Sequence, residues 1–139
     1  MNILKLANCG LLCLLFFVSS CSKDSNDAPS KTPAQLLTCP TCWKYTKVEI
    51  NDGTGWKEEV LDDCEKDDCL RFLADGMYIN DAGALKCDPL DSQTDTGPYV
   101  LSADGKTLTT DLDSIQVEKL DATTLLLSDG SDRVTFIAQ

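Results

Sequence analysis

Thr107-Leu108-Thr109-Thr110-Asp111-Leu112-Asp113-Ser114-Ile115-Gln116-Val117-Glu118-Lys119-Leu120-Asp121-Ala122-Thr123-Thr124-Leu125-Leu126-Leu127-Ser128-Asp129-Gly130-Ser131-Asp132-Arg133-Val134-Thr135-Phe136 is the stretch that decides the fold. Leu108 and Leu112 fall on one face with Thr110 between them. Ile115 and Val117 alternate with Gln116 and Glu118, and Val134 and Phe136 flank Thr135. Alternation with period two marks a strand that buries one face. Leu125-Leu126-Leu127 is less regular but of strand length, and the Asp129-Gly130 that follows favours the positive φ of a tight hairpin.

The same punctuation recurs upstream. Asn51-Asp52-Gly53, Ala74-Asp75-Gly76, Asn80-Asp81-Ala82-Gly83 and Asp104-Gly105 are turn signals, and Leu70-Arg71-Phe72-Leu73 and Met77-Tyr78-Ile79 are short strand-length runs between them. About eight or nine strands are expected, with no long amphipathic helix; Lys57–Asp68 is the exception, with room for a helical turn. Evenly spaced hairpin strands predict an all-β domain, a small antiparallel up-and-down barrel or a sandwich. Closure into a barrel hides the edge strands, which favours the barrel in so short a chain.

At the other end of the chain, Met1–Asn8 carries one charge, Lys5, and Gly10–Val18 is almost unbroken apolar sequence. That run is too short for about 30 Å of hydrocarbon but has the length of a signal-peptide core. The junction Val18-Ser19-Ser20-Cys21 resembles a lipobox, which implies cleavage after residue 20 and acylation of Cys21. Two or three acyl chains, at roughly 0.8 kcal/mol per buried methylene, would hold the protein on a membrane. Residues 21–38 read as the lipidated cysteine and a flexible linker, because Ser22–Thr38 is polar and contains two prolines. Ser22 in place of aspartate, followed by Lys23, Asp24 and Asp27, resembles the sorting signals of outer-membrane lipoproteins. An outer-membrane location, on the periplasmic or cell-surface face, is expected.

Residues 39–139 then form the folded domain, enough for a single core. The net charge of -11 opposes binding to nucleic acid. No histidine is present, which excludes a Ser-His-Asp triad, a Cys-His pair and His-ligated zinc. No catalytic residue and no cofactor is expected.

Trp43, Cys64-Glu65-Lys66-Asp67-Asp68, Phe72, Asp75-Gly76, Gly83, Cys87-Asp88, Leu101, Asp104-Gly105, Leu108, Ile115, Leu120 and Leu125 together resemble the lipocalin-like domain lipoproteins of Gram-negative bacteria. The resemblance covers roughly residues 35–136, and its most specific part is the Cys-Glu-Lys-Asp-Asp run. It implies a barrel of about eight antiparallel strands and a disulfide between Cys64 and Cys87, fixing the acidic loop to a strand two hairpins on. A loop of that size closed by a disulfide stabilises by roughly 3–3.5 kcal/mol on the chain-entropy account. The chain departs from the lipocalin pattern at Thr41, which stands in the glycine position of Gly-x-Trp, and at Tyr99, where relatives often have tryptophan.

Cys39, Cys42 and Cys69 remain. Either Cys39 or Cys42 bridges to Cys69, which leaves a further thiol. Cys39-Pro40-Thr41-Cys42 also has the spacing of a redox pair, but it runs into β-prone Trp43–Val48 and not into the helix N-terminus that would depress a thiol pKa. Two Cys knuckles, Cys39/Cys42 and Cys64/Cys69, have zinc-like spacing, which an oxidising compartment opposes. The acids Glu58, Glu59, Asp62, Asp63, Glu65, Asp67 and Asp68 read as a solvated face. Asp67 and Asp68 match positions of the family that the chain resembles, and the resemblance implies that they cap loop backbone.

Two functional readings follow. The first is a packed, non-enzymatic interaction or structural module with a protein partner. The second is a carrier of a small apolar or amphipathic ligand in the barrel, for which Trp56, Tyr78 and Tyr99 are the candidate contacts.

Overall fold

In the computed structural model, residues 30–139 are described, and the signal segment, Cys21 and most of the linker lie outside the described residues. The elements run α1 (Pro33–Thr38), β1 (Trp43–Asn51), β2 (Trp56–Glu59), α2 (Asp63–Lys66), β3 (Cys69–Phe72), β4 (Met77–Asp81), β5 (Thr94–Leu101), β6 (Thr107–Thr110), β7 (Ser114–Leu120), β8 (Thr124–Ser128) and β9 (Asp132–Ala138). All pairings are antiparallel, each of β3 to β9 pairs with its neighbour in sequence, and β1 pairs with both β3 and β9. Eight strands therefore close an up-and-down barrel, as the hairpin signals predict. The ninth, β2, lies outside the closed ring against the second half of β1.

The expected alternation fills the barrel. Trp43, Phe72, Leu108, Val117, Leu125, Leu127 and Phe136 are buried, with Tyr45, Leu70, Tyr78, Tyr99, Leu101, Ile115, Leu120 and Val134 packed around them. Two bulges reset the parity. Glu118 is the extra residue between Val117 and Lys119, so Val117 and Leu120 both reach the core three residues apart. Thr46 is the extra residue of the β1–β9 ladder. One sequence expectation fails here. Leu112 does not share a strand face with Leu108: β6 ends at Thr110, and Leu112 is exposed in the turn to β7, where its own N–H and that of Asp113 go to the Thr110 hydroxyl. Local side-chain bonding closes the turn before the alternation can continue.

The linker expected over residues 21–38 is also shorter than the sequence suggested. Its last residues are α1, with Pro33 at the start and a reciprocal cap between Thr32 and Gln35. Leu37 is fully buried, its carbonyl accepts the Trp43 indole N–H at 2.9 Å, and Pro33 lies against Gly105 in the β5–β6 turn. The fold therefore includes the chain from about Thr32 onward, and α1 closes the lower end of the barrel, where β1 starts. Six residues were too few to show a helical period in sequence.

Aspartates make most of the turns. Asp52, Asp121 and Asp129 each accept the backbone N–H and the hydroxyl of the Thr or Ser two residues on. Much of the negative charge is thus local turn chemistry. Gly97 is small for a different reason: a Cβ there would fall 2.7 Å from the ring of Tyr78, its partner on the facing strand, and 2.7 Å from Asp111.

Candidate functional site

At the upper rim, opposite α1, the long β4–β5 connection meets α2. Cys64 in α2 and Cys87 in that connection form a disulfide with Cα atoms 5.3 Å apart, the pair that the family resemblance implies. Cys87 sits in the loop, however, and not in a strand, so the bridge joins two rim segments. Asp67 reinforces it: one carboxylate oxygen accepts the Ala84 and Leu85 N–H groups at 2.7 and 3.0 Å. This is the capping role expected of it. Gln93 reaches back to the Asp81 carboxylate and the Gly83 carbonyl at 2.9 and 2.7 Å, and Lys86 closes onto the Asp91 carbonyl. The loop is a braced platform.

Gly83 is where that brace is tightest. Its φ is +63°, and a Cβ would lie 2.5–2.6 Å from the Asp67 side chain and backbone carbonyl. Gly83→Ala should cost about 2–4 kcal/mol, from left-handed strain plus the clash. Gly53→Ala, where nothing lies within 4 Å, should cost only about 1 kcal/mol. Urea unfolding of the two variants checks the contrast; equal costs would show that the Asp67 contact adds nothing.

Among the remaining cysteines, Cys42 pairs with Cys69, Cα atoms 5.4 Å apart, which tethers the start of β1 to the start of β3. The choice that the sequence left open is thus made, and Cys42 is not bonded to Cys39. Cys39 forms the C-cap of α1 and lies 3.4 Å from the Lys31 ammonium.

The three aromatic candidates do not converge. Trp56 is on the outer wall, its ring 4.3 Å from the Arg133 guanidinium carbon, and Arg133 pairs in turn with Glu118 at 2.8 Å. Tyr99 packs edge-on against Phe72 and donates to the Leu73 carbonyl at 2.7 Å, so it locks the β3–β4 turn. Tyr78 covers Gly97. Each is accounted for by a neighbour.

The acidic run is divided by role. Asp62 caps α2 with Glu65 accepting its N–H at 2.7 Å, Asp63 pairs with Lys66, and Glu58 lies 3.5 Å from Lys47. Burial, with the charges of Asp67, Glu65 and Asp81, raises the Asp68 carboxyl, against a smaller opposing pull from Lys44. Among the described residues no three acids or cysteines are grouped to hold a metal ion.

Tyr45 senses this field. Burial first, then the negative charges of Asp68 and Glu65, push its hydroxyl up to about 12. Below pH 10 the phenol is neutral folded and unfolded, so it contributes no pH dependence. As pH rises from 10 to 12 the unfolded chain ionises and the folded one does not, so stability falls by about 2–3 kcal/mol. Alkaline titration followed by tyrosinate absorbance and circular dichroism should show unfolding in that window, and Tyr45→Phe should blunt it. A Tyr45 that ionises normally while the barrel stays folded would refute this.

Beside Tyr45 the barrel wall is interrupted. β3 pairs with β1 only at Trp43 and Lys44, and β2 only from Val48 to Asn51. The chain between β2 and β3 detours through Val60–Asp68, which leaves a groove of about 460 Å³ lined by Tyr45, Thr46, Glu58, Glu59, Val60, Leu61 and Lys66. No protein-family model, curated protein or solved structure matches this chain.

Proposed function

We propose that the protein is a lipid-tethered interaction module, anchored through Cys21 to the outer membrane and using the upper rim of its barrel to recognise a protein partner. One observation carries the reading: the lower part of the barrel is packed with its own side chains, while the cross-linked rim presents apolar ones. Trp43 and Leu125 are fully buried towards the lower end, which Leu37 stops. Leu85, Leu90 and Leu112 stand exposed in the rim connections, Leu90 at 93%. Braced loops with apolar tips lose little entropy on binding. The described chain begins at the α1 end, opposite the rim, so a tether attached there leaves the rim accessible. On this reading the domain is a lipocalin-like lipoprotein whose calyx is filled by packing, not by a small apolar ligand.

Acyl labelling tests the anchor: palmitate should label the wild-type chain and not Cys21→Ser, and equal labelling would remove the tether from the proposal. A photoreactive side chain at Leu90 should cross-link a partner in intact cells, whereas one at Val100, on the barrel side, should not. Native mass spectrometry that repeatedly found a co-purified apolar molecule would replace the interaction reading with ligand carriage.

A further inference from the structure

The detour from β2 to β3 concentrates charge beside an open strand edge. Residues 57–68 hold seven carboxylates against Lys57 and Lys66. The nearby cations are already engaged: Lys66 with Asp63 at 2.8 Å, Lys47 with Glu49 at 2.8 Å and Glu58 at 3.5 Å, and Lys57 with Asp52. Glu59, Asp62 and Glu65 have no ion-pair partner among the described residues, so the lips of the groove carry uncompensated negative charge.

The floor is of another character. Tyr45 and the buried Leu61 line it, and Val60 stands on the lip with 89% of its surface exposed. Along its wall, Tyr45, Thr46 and Lys47 of β1 have no strand partner on this side. An open strand edge accepts an extended chain through backbone hydrogen bonds, with specificity from alternate side chains. Negative lips select a cationic occupant, and they repel nucleic acid and a second copy of a chain of net charge -11.

We propose that this groove between β1 and the Val60–Lys66 detour binds an extended basic segment of a partner protein, its lysine or arginine side chains meeting Glu58 and Glu59 and an intervening apolar side chain covering Val60. The proposal rests on the interaction reading above but concerns the side of the barrel, not the Leu85–Leu90 loop.

The probe is a short synthetic peptide of alternating lysine and valine, titrated into the full chain and followed by amide chemical shifts and calorimetry. Shifts should concentrate at residues 45–47 and 58–61. Affinity should fall at least about fivefold in E58K/E59K, and fall with added salt, as expected for two exposed charge contacts. The variant D113K/D132K makes the same charge change at rim positions outside the groove and should bind within about twofold of wild type, since distant exposed charges are screened. Val60→Ser tests the apolar contact without a change of charge and should also weaken binding. Equal loss in both lysine variants would mean unspecific charge attraction and would overturn the proposal. No binding, shifts mapping elsewhere, or equal binding of a glutamate-valine peptide would overturn it as well. Cross-linking at Leu90 with no peptide binding here would sink the groove alone; peptide binding with no cross-link at Leu90 would sink the rim.

Discussion

Trp43→Ala should remove about 3–5 kcal/mol of the barrel's stability in water at room temperature. Trp43 is fully buried where β1, β3 and β9 meet, opposite Leu70 on one side and Ala138 on the other. Its indole N–H is bonded to the Leu37 carbonyl, so one side chain holds both the core and the α1 plug. Removing a buried aromatic of this size costs about 3–5 kcal/mol, because the cavity left behind collapses only in part. A domain of about 100 residues has roughly 5–10 kcal/mol to lose, so that cost takes much of its margin. Trp43→Phe separates the two roles, since it keeps most of the volume and loses the hydrogen bond; about 1–2 kcal/mol is expected. Urea unfolding followed by circular dichroism measures both. A loss below about 1.5 kcal/mol for Trp43→Ala would mean that the core does not depend on this residue.

The second large effect belongs to the disulfides. Cys42–Cys69 and Cys64–Cys87 span 27 and 23 residues in sequence, and each alone would stabilise by about 3.5 kcal/mol on the chain-entropy account. The two loops overlap between Cys64 and Cys69, so either bridge shortens the path that the other must close. Each single removal, as C42A/C69A or C64A/C87A, should therefore cost about 3 kcal/mol, and the joint loss should fall short of about 7 kcal/mol. The two should differ locally. Without Cys42–Cys69 the β1–β3 seam loses its clamp. Without Cys64–Cys87 the loop keeps only the Asp67 and Gln93 hydrogen bonds, and its amides should exchange faster while those of β7 and β8 do not. Uniformly faster exchange in both variants would show that the rim has no independent brace.

How much of this was legible in the chain depends on how local each cause is. The hairpins were legible because Asp-Gly turns and period-two runs act within a few residues: Leu108, Val117, Leu125 and Phe136 sit in the core as their alternation requires. Asp67 as a backbone cap was legible through the family resemblance. Leu112 misled, because alternation carries no sign of where the Thr110 hydroxyl ends a strand. Trp56 misled as well, since its place outside the barrel depends on the side of β1 that β2 joins and on an arginine 77 positions away in sequence.

Sequence by itself determined the class of fold, the turns and the residues that face inward, because backbone geometry imposes a period that apolar residues must match. Tertiary structure alone decided that α1 plugs the barrel, that Cys42 takes Cys69, and that one edge of β1 is left unpaired over Tyr45–Lys47. Those outcomes depend on which segments meet across the closed ring. Closure is a property of the whole chain, and no window of residues contains it.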